Sequence, residues 1–213
     1  MDMRIKTMVL GHVQTNCYLV YEEGSGRGVI IDPADNGPAI SAACREANVT
    51  PEAFLLTHGH GDHILAADGL RQEWKIPVIA SETERELLAD PSLNLSLALG
   101  MPRTSLKADR EVRDGEVVEA AGFHFQVIAT PGHTKGSVCY LEKEEKVLFS
   151  GDTLFEQSLG RTDFPTGSAK EIVESITGKL FALPDDTMVY PGHGDPTVIG
   201  REKQYNPVAR YRR

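Results

Sequence analysis

Five of the seven histidines of this 213-residue chain lie in three short glycine-containing runs. The first run is Thr57-His58-Gly59-His60-Gly61-Asp62-His63, the second Pro131-Gly132-His133-Thr134 and the third Pro191-Gly192-His193-Gly194. A fourth, Ser150-Gly151-Asp152-Thr153, has the same form with aspartate in the histidine's place. Neutral imidazole and carboxylate are the donors that Zn²⁺ and Fe²⁺ favour. His58, His60, Asp62, His63, His133, Asp152 and His193 are therefore the candidate metal ligands. The three imidazoles and one carboxylate of the first run can converge on one point only if the backbone turns sharply. Gly59 and Gly61 are expected to supply that turn by accepting conformations closed to other residues. Taken by itself, the first run also reads as a polar turn whose histidines cap a helix. Four such runs, each directly after an apolar strand, are hard to explain that way. His12 and His124 fall outside the pattern.

The elements that must position these residues are short apolar stretches rich in β-branched residues and bounded by Gly, Pro or Asp. They predict strands at 5–9, 17–21, 28–31, 53–57, 78–80, 116–120, 123–128, 137–141, 146–150 and 187–190. Helices are expected at 38–47, 63–74, 83–88, 169–180 and 201–205. The fourth of these has Ser168 at its N-cap and Ile172, Val173 and Ile176 on one face. Each half of the chain gives several strands followed by a helix, so the simplest packing is an α/β sandwich of two sheets with helices on both outer faces. Residues 89–108 fit neither pattern: Leu93, Leu95, Leu97 and Leu99 alternate like a strand, but Pro91, Gly100 and Pro102 interrupt them. The segment reads as an ordered insertion that overhangs the site.

Composition narrows the partners. A hydrophobic share of 40% with 25% charged residues is that of a soluble globular protein, and nothing in residues 1–213 calls for more than one domain. The net charge of −9 repels phosphate backbones and anionic lipid heads, so neither nucleic acid nor membrane is expected as a partner. The single basic run is the terminal Arg210-Tyr211-Arg212-Arg213. Cys17, Cys44 and Cys139 are odd in number and unpatterned, which predicts reduced, buried thiols and a cytoplasmic protein. The apolar Met8-Val9-Leu10 ends at Gly11-His12, too short for a signal-peptide core, and no later run is long enough to span a bilayer. A monomer or homodimer is expected.

The set His58-x-His60-x-Asp62-His63, then His133, Asp152 and His193, resembles the full ligand pattern of the metallo-β-lactamase superfamily. The likeness runs from Thr15-Asn16-Cys17-Tyr18 and Ile31-Asp32-Pro33 to Pro191-Gly192-His193. It implies the αββα sandwich of that family, two mixed sheets flanked by helices with the site between them. It also implies two divalent ions, Zn with Fe or Mn as alternatives: one on His58, His60 and His133, the other on Asp62, His63 and His193, with Asp152 bridging. Two adjacent cations lower the pKa of a shared water toward neutrality, and one of them polarises the carbonyl under attack. Asp62 would orient the nucleophile as the catalytic carboxylate. A thiol pKa of roughly 8.5 makes a thiolate a good leaving group, so thioester hydrolysis suits such a site.

The branch of the family is narrowed by further resemblances. The β-lactamases proper lack a bridging aspartate, which Asp152 supplies here. The flavin-linked di-iron reductases carry Glu where this chain has His60, and the tRNA-processing nucleases are longer and bring a basic arm. Ser158-Leu159-Gly160-Arg161-Thr162-Asp163-Phe164-Pro165 resembles the loop after the bridging aspartate in small bacterial glyoxalase II-like proteins. Arg161 stands where glyoxalase II has a cation that seats glutathione and is the substrate-binding candidate; the alternative is a surface or salt-bridging arginine. Asp163 stands where that enzyme has an aromatic contact. Only residues 194–213 follow His193, so the helical glutathione-binding domain of full-length glyoxalase II is expected to be missing. The expected activity is hydrolysis of a small-molecule thioester such as an acyl-glutathione. The alternatives are a mononuclear iron persulfide dioxygenase, a type that shares the Gly-Arg-Thr-Asp-Phe run, and a lactonase.

Overall fold

A strand that is apolar at consecutive positions has to be covered on both faces, and this decides the layers. The computed structural model describes residues 2–211. In β2 (Thr15–Glu22), Cys17 and Leu19 turn into one core while Tyr18 and Val20 turn into another. In β9 (Val138–Glu142), Val138 and Tyr140 join that second core and Cys139 and Leu141 a third. The first core is closed by Ile40 of α1 (Gly37–Ala47) and Leu70 of α3 (Ala67–Trp74). The second lies between the sheets, around Phe125, Tyr140 and Phe149. The third is closed by Ile172 and Ile176 of α5 (Ala169–Gly178). The result is four layers, helix, sheet, sheet, helix.

The first sheet adds β1 (Met3–Leu10), β3 (Arg27–Ile31), β4 (Thr50–Leu55), β5 (Val78–Ser81) and β6 (Arg110–Val112), in the order β1-β2-β3-β4-β5-β6. β1 to β3 pair antiparallel and β3 to β6 pair parallel. The second sheet adds β7 (Val117–Ala120), β8 (Phe123–Ala129), β10 (Val147–Gly151), β13 (Met188–Pro191) and β14 (Thr197–Val198), in the order β14-β13-β10-β9-β8-β7. There β10 and β13 are parallel and the other pairs antiparallel, so both sheets are mixed. β8 and β10 both oppose β9, so β8, β10 and β13 run the same way and their C-terminal ends open on one edge. The end of β4 reaches the same edge: Val138 N–H donates to Thr57 O at 2.8 Å, and Asn16 N–H donates to Gly192 O at 2.7 Å. A hairpin of β11 (Leu154–Phe155) and β12 (Ser158–Leu159) follows Asp152.

Four of the expected helices change. The helix expected at 63–74 is two helices, α2 (Gly61–Ile64) and α3. Leu65 and Ala66 donate their N–H groups to Ala34 O and Pro33 O, both at 3.1 Å, so acceptors outside the helix take amides that a continuous helix would need. The helix expected at 83–88 is a 3₁₀ turn, Glu82–Glu84, leading into α4 (Arg85–Ala89). α5 stops at Gly178, ahead of a second 3₁₀ turn, Leu180–Ala182, and the last helix, α6, spans Ile199–Tyr205. Ser168 caps α5 as expected, accepting from Glu171 N–H at 3.3 Å. Residues 90–109 carry no helix or strand, yet Asn94 and Ser96 are buried and Asn94 O accepts from Gly61 N–H at 2.7 Å. The segment braces the first histidine run from behind. The three cysteines are free and buried, and no helix of the described residues is long and apolar enough to cross a membrane. Arg212 and Arg213 of the terminal basic run lie outside the described residues.

Candidate metal centre

The four histidine and aspartate runs meet where the C-terminal ends of β4, β8, β10 and β13 gather. Gly59 and Gly61 do not sit there for conformational freedom, since neither has a positive φ. They leave room instead. A Cβ at Gly59 would stand 2.8 Å from Leu87 Cδ2, and one at Gly61 would stand 3.0 Å from Ser96 Cα. Gly192 is tighter still, with a Cβ placed 2.1 Å from Asp152 Oδ1.

Hydrogen bonds set which nitrogen of each ring faces inward. Asp32, buried at the end of β3, accepts from Thr57 N–H at 2.8 Å, from Thr57 Oγ1 at 2.6 Å and from His63 Nδ1 at 2.9 Å. A carboxylate can only accept, so His63 carries a proton on Nδ1 and turns Nε2 toward the other ligands. Thr57 gives its own proton to Asp32, so His58 Nδ1, 3.2 Å away, donates to Thr57 Oγ1. His133 Nδ1 donates to Arg161 O at 2.7 Å, and His193 Nδ1 donates to Gln14 O at 3.3 Å. Four rings thus turn Nε2 inward. His60 is reversed, with Nδ1 turned toward the others, 3.1 Å from His58 Nε2 and 2.9 Å from His133 Nε2.

Three bare nitrogens this close repel one another unless something positive lies between them. Around an ion with bonds of about 2.0–2.1 Å, tetrahedral ligand nitrogens stand about 3.3 Å apart, close to these spacings. His58, His60 and His133 form one such group and Asp62, His63 and His193 another. Asp62 Oδ2 lies 3.3 Å from His193 Nε2 and 3.5 Å from His63 Nε2, and Thr15 Oγ1 donates to it at 2.9 Å. Asp152 reaches both groups: its Oδ2 is 3.5 Å from the Nε2 of His133 and of His193, and its Oδ1 is 3.4 Å from His63 Nε2. His63 Nε2 and Asp152 Oδ1 are buried with no hydrogen-bond partner among the described residues. Such orphaned atoms normally cost stability, and their convergence fits a metal. The donor set, imidazole and carboxylate without thiolate, suits Zn²⁺, Fe²⁺ or Mn²⁺.

The charges sort the two groups. Burial, reinforced by the neighbouring rings, holds His58 well below the ordinary imidazole value and pushes His60 down to about 3. Burial also works against the charged form of His63 and His193, but Asp62 and Asp152 outweigh it and raise both. The two carboxylates are correspondingly lowered, despite burial, chiefly by His63. His58 and His60 are poised to stay neutral, and the second group to attract cations.

All seven expected ligands meet here, and the two spare histidines stay apart. His124 is exposed on β8, 3.9 Å from Glu119, and His12 is exposed in the turn after β1. Arg161 sits on the rim, with its guanidinium paired to Asp163 at 2.6–2.7 Å and 3.8 Å above the Phe164 ring, which meets His60 edge-on at 5.8 Å. Phe155 stands against His193 at 6.2 Å on the opposite side. Sequence reasoning quoted Thr15 and Asp32 within the family likeness but gave them no role, and passed over Glu84. The signals available were that likeness for Thr15 and, for Asp32, a charged residue ending an apolar strand in Ile31-Asp32-Pro33.

Comparison with known proteins agrees with this geometry. The family model of the metallo-beta-lactamase superfamily matches residues 10–193. Among curated relatives, the chain is 38% identical over 206 residues to the probable metallo-hydrolase YqgX of Bacillus subtilis, covering 96% of this chain and 97% of that one. It is 35% identical over 207 residues to the hydroxyacylglutathione hydrolase GloC of Haemophilus influenzae, with the same coverage. Among solved structures, BLEG-1 B3 metallo-beta-lactamase superposes with a TM-score of 0.91 at 42% identity, covering 96% of this chain and 98% of that one. The di-iron-bound form of TTHA1623 gives 0.84 at 35% identity, covering 95% and 98%. With the four-layer fold, the ligand cluster and the family match in agreement, the chain belongs to the metallo-beta-lactamase superfamily.

Proposed function

We propose that this chain is a two-metal hydrolase that cleaves a small thioester of the acyl-glutathione kind. The observation that carries the reading is the placing of Asp152, within 3.5 Å of His133 on one side and of His63 and His193 on the other. Full-length similarity to GloC, named a hydroxyacylglutathione hydrolase, supports the substrate class. Two divalent ions in the paired groups would supply a hydroxide at neutral pH and polarise the carbonyl under attack. The chain's own part is positional. Thr15 fixes Asp62 by donating to Oδ2, so the free face of that carboxylate can orient the nucleophile. The Nδ1 bonds to Asp32, Thr57, Arg161 and Gln14 hold the rings at one angle. Phe155 and Phe164 flank the site and would shelter the acyl and thiol halves, with Arg161 at the rim for a carboxylate. Free, buried cysteines support a cytoplasmic setting.

The test is metal analysis with a substrate panel of acyl-glutathiones, a simple lactone, a cephalosporin, and glutathione persulfide under an oxygen electrode. Close to two ions per chain and release of free thiol are expected. A single tightly held iron with oxygen uptake would replace the reading with a persulfide dioxygenase. Asp152 spoke against β-lactam cleavage in the sequence, but 42% identity to a chain named a B3 metallo-beta-lactamase favours it as a second reading. The cephalosporin decides it.

A further inference from the structure

Glu84 is one of the most deeply buried charged residues among those described. It ends the 3₁₀ turn Glu82–Glu84 with only 1% of its surface exposed, and no cation reaches it among the described residues. Burial pushes its carboxyl up. A buried carboxylate without a counter-ion is costly, and an apolar side chain of similar size is the ordinary occupant of such a place.

Its contacts explain the exception. Oε2 accepts from Gly59 N–H at 2.8 Å, inside the run between His58 and His60. Oε1 accepts from Thr134 Oγ1 at 2.9 Å and from Gly136 N–H at 2.8 Å, on the loop that carries His133. These two loops come from different sheets, and together they hold every member of the group His58, His60 and His133. Neither loop can back away without losing a bond, and neither can move closer. A Cβ at Gly136 would stand 2.6 Å from Glu84 Oε1, and Leu87 and Leu88 of α4 fill the space behind Gly59. The second group, Asp62, His63 and His193, receives no bond from Glu84.

We infer that Glu84 is a positioning residue whose carboxylate sets the distance between the two loops that form the first metal site. This rests on the reading that the histidine groups hold metal, and the experiment separates the two. In Glu84→Gln the side chain keeps its length but presents N–H to a donor on one loop or the other. Glu84→Asp keeps the charge but cannot span both loops. The zinc-loaded proteins are titrated with a competing chelator, with His133→Ala and His193→Ala assigning the two release phases. Both variants should lose affinity at the first site by about 10–100-fold while the second changes by less than about threefold. Equal loss at both sites, or a lower unfolding midpoint with unchanged affinities, would overturn the inference. If the parent protein binds no metal, the metal reading itself falls. Amide hydrogen exchange on the metal-free chain then still tests the clamp: Gly59 and Gly136 should exchange at least about tenfold faster in Glu84→Gln, beyond any change set by global opening. Unchanged exchange there would sink it. Should Glu84→Gln fail to fold, Thr134→Val removes a single donor and should give a smaller loss confined to the first site.

Discussion

Asp32 holds His63 by its Nδ1 at 2.9 Å, and the opposite nitrogen of the same ring points at Asp62 and Asp152. One carboxylate, 25 residues before Thr57 at the start of the nearest ligand run, thereby fixes which nitrogen His63 turns toward the second group. Asp32→Asn keeps the shape, but one of its two atoms must now donate toward groups that also donate. Affinity at the second site should fall by about 10–100-fold, read by metal retention after dialysis against a chelator. Full retention would show that His63 finds its orientation without Asp32.

Acid should empty the two sites in order. His63 and His193 are raised by Asp62 and Asp152 in spite of burial, so protons compete for the second site first as pH falls. Burial keeps His58 low and His60 near 3, so the first site resists longer. Stepwise equilibration from pH 8 downward should release one ion before the other, and simultaneous release would contradict the assignment. The metal-free chain gives a second check. A raised His63 contributes stability below the ordinary imidazole value of about 6.5 that is lost as pH rises through its raised value. Lowered Asp62 and Asp152 contribute stability above about 3.9 that is lost as pH falls through their depressed values. Lowered His58 and His60 contribute stability above about 6.5 that is lost as pH falls below it. Its melting temperature should therefore peak at about pH 6.5 and fall on either side.

Arg161 is not free in the structure, because Asp163 already accepts both of its forked bonds and is lowered to about 2 by that pairing. A substrate carboxylate would have to take Asp163's place. Arg161→Ala should raise KM for an anionic thioester about tenfold with little change in kcat. Asp163→Ala should lower that KM by removing the competitor. Equal effects on charged and neutral thioesters would make the pair a structural one.

Space decides the fourth prediction. Gly192→Ala would place a methyl 2.1 Å from Asp152 Oδ1 and 2.7 Å from His63 Cε1. It should displace the carboxylate that reaches both groups and lower metal content at both sites. Gly178→Ala, where nothing lies within 4 Å, should leave metal content unchanged. Metal analysis of the two purified variants is the measurement, and full occupancy in Gly192→Ala would mean that Asp152 can relocate.

The ligand runs were readable because each obeys a local rule: an apolar strand, then glycine, then a donor. The long strands were readable because Cys17 to Val20 or Val138 to Leu141 are apolar at every position. What escaped depended on distant partners. Nothing in the run 63–74 marks a break at Leu65 and Ala66, since the acceptors that cause it are Pro33 and Ala34. β6 is three residues, Arg110–Val112, and shows as a strand only through its pairing with β5. Glu84 looks like any acidic residue at a helix start, and its burial appears only when two loops fold over it. The glycines of the first run were rightly singled out but for the wrong cause, space rather than turning.

The seam between the sheets carries one more consequence. His58 and His60 belong to the first sheet's half of the chain and His133 to the second's, so an ion held by all three would act as a reversible cross-link between halves. It would close a loop of residues 61–132, a length at which tethering the unfolded chain is worth several kcal/mol in the loop-entropy picture. With no disulfide among its described residues, the protein would then owe part of its resistance to unfolding to metal supply. Starvation for that metal would shorten the protein's lifetime as well as silence it, because the apo chain opens more often along that seam to proteases.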